Sequence, residues 1–415
     1  MVDLILFICA LASLAVNVAL IAYLRKYRAL SFPFFVALLL VFSIPNTISP
    51  VFFKIYDDYV YLIASAISFL FFCFYYCLSF CFTANGAVSK ISVKDITVDS
   101  KIYYVSFFIF SCSFLMFLAL FNFDYNLMVS SGWVEFRNNQ SILKLLATYL
   151  LCPASGLLIA SIVLRKKVGV LVVLCYLMFS VVVLKTRGYI VLIVLPCFFY
   201  YLMFRRWTYK SIVGLIVVSF LFVSIYSLSR EIRHLGSVEN LSEITFKIDT
   251  QEFELVDNLY YIIYRRDEIY DSNFNDIKRL LLFPFPSDLL PFLKPKENAK
   301  VLWDERTGLP DLEGSLHPNF FGNVAAESFF FGWFIYAFLF SVLFLLIHKY
   351  FFFLKASNLM IFSSVVAVSF YMARGAFFNG MMLLVFSMAI AVIAEFLLRL
   401  YSYRFKFNRK VGFLK

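Results

Sequence analysis

Two arginines stand out in the short polar connections of this otherwise apolar sequence. Arg187 lies in the run KTRG and Arg374 in the run ARG, each between two long apolar stretches. A guanidinium stays charged at any working pH, and its planar set of donors matches a pair of phosphate oxygens. The glycine after each arginine permits close approach. We predict that Arg187 and Arg374 bind a diphosphate; the alternative is that each side chain reaches lipid headgroups and anchors a helix.

Further arginines lie in the longer polar segments. Arg230 and Arg233 open the polar segment 229–318, and we predict that they join the diphosphate site. Several arginines together suit a group that bears two or more negative charges. Arg137, Arg265 and Arg266 are predicted to contact the substrate. For Arg137 an ordinary solvated loop is the alternative explanation.

Three side chains are candidates for a general base. His234 and His317 lie at opposite ends of segment 229–318, and an imidazole titrates near neutral pH. Glu327 follows ten residues after His317, at the start of an apolar run, and is the third candidate. Each histidine has a structural role as its alternative, and for Glu327 the alternative is a structural ion pair. The sequence contains no phosphate-binding loop, dinucleotide fingerprint or zinc motif, so we predict neither a metal nor a cofactor.

The composition determines what kind of scaffold positions these residues. Apolar residues form 62% of the 415 and charged residues only 15%, which is far from the composition of a soluble domain. Apolar runs of about 20 residues, long enough to cross a bilayer as helices, recur along the chain. We predict an all-α, polytopic transmembrane bundle of about eleven spans. The predicted spans are 4–24, 32–53, 60–82, 102–123, 142–164, 168–184, 189–204, 211–228, 328–347, 356–372 and 381–398.

The distribution of basic residues predicts the orientation of the spans. Lys and Arg gather in alternate connections and in the C-terminal tail, as cytoplasmic segments do. This assigns the N-terminus to the periplasm and the C-terminus to the cytoplasm of a bacterial inner membrane. The same pattern explains the net charge of +11 without nucleic-acid binding.

Three segments follow from this topology. Residues 1–228 form an N-terminal bundle of eight spans, residues 229–318 form one large periplasmic loop, and residues 319–415 form three spans and a basic tail. Helical spacing in 253–264 and 277–283 predicts two helices inside the loop, the second lying on the bilayer surface. We expect the chemistry at the two ends of the loop, 230–234 and 317–327, facing Arg187 and Arg374.

Three local patterns give the chain a family resemblance. They are KTRGY at 185–189, HPNFFG at 317–322 followed by Glu327 and FGWF at 331–334, and ARGAF at 373–377. With the many spans and the single large loop, these patterns resemble the Wzy-type O-antigen (oligosaccharide repeat-unit) polymerases.

The resemblance implies a membrane glycosyltransferase with a bundle like that of the GT-C class. Such an enzyme moves a growing glycan from undecaprenyl diphosphate onto the non-reducing end of a lipid-linked repeat unit. The implied partners are undecaprenyl-diphosphate-linked oligosaccharide and polysaccharide, membrane lipids and a chain-length regulator protein. Three alternatives stay open: an O-antigen ligase, a repeat-unit flippase, and a structural scaffold of the membrane.

Overall fold

The computed structural model describes residues 2–52, 54–124, 128, 141–184, 186–204, 251–270, 273–283, 294–308 and 316–412. Within these ranges the regular structure is helical and contains no strand. The prediction of an all-α fold is therefore confirmed for the described part of the chain.

Sixteen α-helices occur in these ranges. They are α1 (Val2–Tyr27), α2 (Phe32–Leu38), α3 (Ile44–Phe52), α4 (Asp58–Ala84), α5 (Ser100–Ala119), α6 (Ile142–Ala154), α7 (Gly156–Val163), α8 (Lys167–Val182), α9 (Arg187–Phe204), α10 (Gln251–Ile269), α11 (Asn275–Leu281), α12 (Asn298–Thr307), α13 (Asn319–Glu327), α14 (Gly332–Phe353), α15 (Asn358–Ala373) and α16 (Phe377–Gly412). A π-helical turn, Leu39–Ser43, joins α2 to α3 without interrupting the rod.

Seven helical rods of the described chain are long and apolar enough to cross a membrane. They are Asp3–Tyr27, Phe32–Phe52, Asp58–Ala84, Ser100–Ala119, Ile142–Val163, Gly332–Phe353 and Phe377–Leu400. Three shorter apolar helices accompany them: Lys167–Val182, Gly188–Phe204 and Asn358–Ala373. Every predicted span except 211–228 coincides with one of these helices, and 211–228 lies outside the described residues. The rods indicate a membrane protein.

The chain divides into two compact units, each assembled from separate stretches of sequence. Unit 1 comprises Met1–Ile91, Thr250–Lys349 and Val368–Met382. Unit 2 comprises Ser92–Asp249, Tyr350–Ala367 and Leu383–Lys415. The division into residues 1–228, 229–318 and 319–415 concerns membrane topology and stays a prediction.

Unit 2 is held by polar contacts between its apolar helices. Ser113 on α5 donates to the carbonyl of Ala147 on α6 at 2.7 Å. The Thr148 and Tyr189 hydroxyls lie 3.1 Å apart, which links α6 to α9. A buried Glu395 accepts a 2.8 Å hydrogen bond from the Ser357 backbone at the start of α15. In an apolar surrounding these bonds fix the register of the helices, since a buried polar group needs a partner.

Unit 1 has an aromatic core into which the short helix α13 inserts. The ring centroid of Phe320 lies 5.2 Å from that of Phe34, 5.1 Å from Phe71 and 5.1 Å from Phe340, in edge-to-face arrangements. Phe321, on the same helix, lies 4.4 Å from Phe42. Aromatic pairs at these separations stabilise the core beyond the area that they bury. As a result α13, which has only nine residues, is buried along its whole length.

The helix predicted in 253–264 is α10, and it packs against α3, α4 and α13. Val256, Leu259 and Ile262 are fully buried on its inner face. The hydroxyl of Tyr260 donates to Oδ1 of Asn46 at 2.9 Å. The second predicted helix, 277–283, is α11, which begins two residues earlier. Helix α10 is therefore part of the core of unit 1.

Candidate functional site

The segment after His317 lies directly against the turn that follows Arg374, and both belong to unit 1. Gly375 has a φ of +93°, and a Cβ at this position would lie 2.6 Å from the carbonyl oxygen of Asn319. Asn323 donates to the Gly375 carbonyl at 2.7 Å. A side chain at 375 would be strained by its φ and would collide with backbone. The fold thus brings two of the three local patterns of the sequence into contact.

The backbone of His317 is held by α10. Nδ2 of Asn258 donates to the carbonyl oxygen of His317 at 3.0 Å. Arg306 donates to the Oδ1 atom of the same Asn258 and, at 2.9 Å, to Oδ2 of Asp257. Two residues on, Asn319 donates to the Leu255 carbonyl at 2.9 Å. His317 itself is half-buried, and its backbone is fixed by the contact with Asn258.

Arg374 ends the last turn of α15. Its backbone N–H donates to the Phe370 carbonyl at 3.1 Å, and its guanidinium lies 5.9 Å from the centroid of the Phe370 ring. The side chain is half-buried. A guanidinium held over an aromatic ring keeps its charge and its planar fork of donors, which suits the recognition of an anion.

Glu327 is fully buried at the other end of α13. Its Oε1 atom accepts from the Asp276 backbone N–H and from Nδ2 of Asn298, both at 2.7 Å. Its backbone carbonyl accepts from the N–H of Phe274 at 3.0 Å. No ion pair joins Glu327 to an arginine in the part of the chain that the structure describes. This arrangement favours a structural role for Glu327 over contact with a substrate.

Asp276 is a second buried carboxyl beside Glu327. Its Oδ1 atom accepts from the Asn298 backbone N–H at 2.9 Å. Burial raises the pKa of Glu327 to about 7. Burial and the neighbouring Glu327 carboxyl raise the pKa of Asp276 well above its usual range. Together with Asn298, the two carboxyls join α11, α12 and α13. Sequence reasoning missed Asp276 and Asn298, because nothing local distinguishes them from surface residues of a polar loop.

Arg265 and Arg266 border an open cleft of about 480 Å³, and acidic neighbours offset their charges. Nε of Arg265 donates to Glu268 at 2.7 Å, and its Nη1 atom lies 3.3 Å from Glu305. Arg266 pairs with Asp267 at 2.8 Å. Because carboxylates already pair with both guanidinium groups, the cleft is poorly suited to a diphosphate.

The remaining predicted site residues have no described side chains. Arg187 is the first residue of α9 in unit 2, and its side chain lies outside the described part of the structure. Arg137, Arg230, Arg233 and His234 lie outside the described residues. Their roles stay predictions.

No cluster of three or more His, Cys, Asp or Glu side chains is arranged to hold a metal ion within the described ranges. Oxygen-rich sites for Mg²⁺ or Ca²⁺ need several converging carboxylates or carbonyls.

Similarity to known proteins gives no information on the function of this site. No family model, no curated protein and no solved structure matches the chain.

Proposed function

We propose that the chain is a membrane glycosyltransferase that polymerises lipid-linked oligosaccharide repeat units, as the O-antigen polymerases do. Its donor is a growing glycan on undecaprenyl diphosphate, and its acceptor is the non-reducing end of a fresh lipid-linked repeat unit. The eleven spans, the GT-C-like bundle and the inner-membrane location with a periplasmic N-terminus belong to the same proposal, as does a chain-length regulator as partner.

One observation supports the proposal above the others: the contact between the HPN segment at 317–319 and the Arg374–Gly375 turn. These stretches are 55 residues apart in the sequence, and the Gly375 backbone packs on that of Asn319. His317 and Arg374, which are both half-buried, therefore belong to two backbone segments that pack directly on each other. Glycosyl transfer from a diphosphate uses a general base for the acceptor hydroxyl and a cation for the leaving group, and His317 and Arg374 supply one of each.

In the proposed reaction His317 acts as the general base. Its imidazole accepts the proton of a sugar hydroxyl on the acceptor, and the hydroxyl oxygen attacks the anomeric carbon of the donor. The bond between that carbon and the diphosphate oxygen breaks, and the diphosphate leaves with the electron pair. Arg374 offsets the negative charge that develops on the leaving group. That Arg187, Arg230 and Arg233 bind a diphosphate stays a prediction.

The other predicted residues take different places in this proposal. Glu327 holds the C-terminal end of α13 against α11 and α12, because its carboxyl is buried and already accepts two hydrogen bonds. His234 stays the alternative base, and Arg137 stays a candidate contact to the acceptor. Arg265 and Arg266, which border the cleft described above, stay candidate contacts to the substrate.

The test substitutes His317→Ala and Arg374→Ala in the native host. Lipopolysaccharide from the wild type is expected to give a ladder of polymer lengths on a gel. Each variant is expected to give core bearing a single repeat unit, because transfer between repeat units stops while attachment to the core continues. Protein levels in the membrane are measured in parallel, so that loss of the protein is distinguished from loss of activity.

Lys54→Ala serves as the matched control. Lys54 is a cation in the short connection between α3 and α4, where it pairs with Asp3 at 2.7 Å and with Asp58. A normal ladder is expected for this variant. Full ladders from both site variants at normal protein levels would refute the proposal. Loss of every repeat unit from the core in both variants would instead indicate an O-antigen ligase.

A further inference from the structure

A patch of tyrosines lies on unit 1 next to the residues that hold His317. Tyr56 precedes α4, Tyr59 lies in its first turn, and Tyr261 and Tyr264 lie on α10. The ring centroids of Tyr56 and Tyr264 are 6.0 Å apart. Tyr59 lies three residues after Tyr56 along the chain, in the first turn of α4. The connection between α3 and α4 therefore meets α10 in one aromatic surface, which we call the tyrosine patch.

Two rings of the tyrosine patch are uncovered. Tyr264 is 49% exposed and Tyr59 is 46% exposed, whereas the adjacent Tyr260 is 3% exposed and hydrogen-bonded to Asn46. Packing therefore explains Tyr260 and leaves Tyr264 and Tyr59 with open faces. An aromatic ring that presents one face to solvent offers a flat apolar surface and, in tyrosine, a polar edge.

Charged groups with fixed geometry border the same patch. Asp257 and Arg306 form an ion pair at 2.9 Å, and both side chains are about one-third exposed. The Arg306 guanidinium lies 4.8 Å from the centroid of the Tyr261 ring. Burial and the Asp257 carboxylate raise the pKa of Tyr56, so its hydroxyl stays protonated and faces that carboxylate. The patch thus combines open rings with planar donor and acceptor groups that are already oriented.

We propose that the tyrosine patch is a glycan subsite, in which sugar rings stack on Tyr264 and Tyr59 while Asp257 and Arg306 hydrogen-bond sugar hydroxyls. The C–H face of a pyranose is apolar and flat enough to cover an aromatic ring. Carboxylate and guanidinium groups bind neighbouring hydroxyls because each presents two atoms at matching spacing.

The position of the patch identifies which part of the substrate it would bind. Arg306 contacts Asn258, and Asn258 holds the backbone of His317. Glycan on the patch would therefore extend away from the reacting hydroxyl near His317, with the sugars next to the reacting one on the tyrosines. This inference rests on the proposed function for its substrate, although it concerns binding and not transfer.

The test measures binding of a lipid-free glycan to the purified full-length protein in detergent. The probe is the oligosaccharide repeat unit released from the host's lipid-linked precursor by mild acid, which removes both lipid and diphosphate. Titration calorimetry or saturation-transfer NMR is expected to detect binding by the wild type. Tyr264→Ala is expected to weaken it by roughly three- to tenfold, the loss of one stacked ring. Tyr264→Phe is expected to bind like the wild type.

Two controls test whether any exposed aromatic residue gives the same result. Tyr350 is 49% exposed, like Tyr264, but lies near the C-terminal end of α14, and Tyr350→Ala is expected to leave binding unchanged. Tyr59→Ala provides a second patch variant if Tyr264→Ala fails to fold, which its thermal unfolding would show. Tyrosines also favour the headgroup region of a bilayer. If Tyr264→Ala lowers stability in lipid vesicles and leaves glycan binding intact, the patch is a membrane anchor and the subsite is refuted.

The outcomes separate the subsite from the proposed reaction. His317→Ala is expected to bind the oligosaccharide normally and to form no polymer. Absence of wild-type binding, with a ladder that still depends on His317, refutes the subsite alone. Binding that depends on Tyr264, with a normal ladder in His317→Ala, supports the subsite and refutes the proposed base.

Discussion

The two ends of α13 differ in how their flanking ionisable residues meet their surroundings. Glu327, at the C-terminal end, is fully buried and accepts two hydrogen bonds through one carboxyl oxygen. His317, just before the N-terminal end, is half-buried and is fixed through its backbone by Asn258. One short helix thus joins a fully buried carboxyl to a half-buried histidine. A carboxylate near a predicted active site can therefore have a structural role.

Removal of the Glu327 carboxyl should have the largest effect on stability. Glu327→Ala deprives the Asp276 N–H and the Asn298 amide of their acceptor inside the protein and leaves a cavity. We expect a loss of about 3 kcal/mol or more of unfolding free energy. Thermal unfolding of the purified protein in detergent measures this change.

Glu327→Gln is the matched variant, because the glutamine oxygen can accept the same two bonds. It is expected to unfold near the wild-type temperature and to give a normal polymer ladder. A stable Glu327→Gln protein without polymer would show that the carboxyl takes part in the reaction, and the contrast between the two ends of α13 would then be lost.

Gly375, which packs on the Asn319 backbone, should tolerate no side chain. Gly375→Ala adds a Cβ 2.6 Å from the Asn319 oxygen at a φ of +93°, so clash and strain act together. We expect a loss of roughly 2–3 kcal/mol. Gly308→Ala is the control, because Gly308 has a φ of +63° and open space around the new methyl group. That variant should lose only about 1 kcal/mol, the contribution of strain alone. Equal losses of unfolding free energy for both variants would show that the close contact between Gly375 and Asn319 adds nothing to the strain.

At the N-terminal end of α13, next to His317, activity should change more than stability. Asn258→Ala removes the donor to the His317 carbonyl and the acceptor of Arg306, and both groups are partly exposed to water. We expect a small loss of stability, about 1 kcal/mol, with a roughly tenfold drop in polymer formation. Initial rates with purified lipid-linked repeat units measure the second effect. A variant that unfolds much earlier than the wild type and retains full activity would reverse the assignment of the two ends.

A pH dependence of stability is also expected. The pKa of Glu327 is about 7 in the folded protein and near 4.5 when unfolded, so the folded protein binds more protons between these values. Its contribution is therefore fully present below about pH 4.5 and is lost as the pH rises through about 7. The unfolding temperature of the wild type should fall over this range more than that of Glu327→Gln. Glu268→Gln, which alters an exposed carboxyl, should keep the wild-type slope. Identical slopes for all three proteins would contradict a buried, titrating Glu327.

Local pattern predicted most of the described helices. The apolar runs gave the positions of the membrane helices, and spacing within the polar segment gave α10 and α11. The glycine after Arg374 was expected to allow a close approach, and Gly375 makes one with the Asn319 backbone. These features depend on residues that are near one another in the sequence, so a single sequence contains them.

What the sequence could not predict depends on distant partners. The amphipathic pattern of α10 is compatible with the bilayer surface or with a protein core, and only the presence of α3, α4 and α13 decides between them. Glu327 appears in the sequence as an isolated carboxylate, because its partners Asp276 and Asn298 lie 51 and 29 residues earlier. The tyrosine patch likewise combines residues about 200 positions apart, and no local pattern reports such a meeting.

The discontinuity of unit 1 has a consequence for the biogenesis of the protein. Phe34 and Phe71 are made early, but Phe320, which packs between them, emerges from the ribosome only after most of the chain has been synthesised. Until then the space that Phe320 fills between the first helices must be occupied by lipid or by the insertion machinery. Contacts between such distant residues slow folding and prolong the exposure of incomplete intermediates. Nascent chains interrupted before residue 320 should therefore be preferred substrates of membrane proteases.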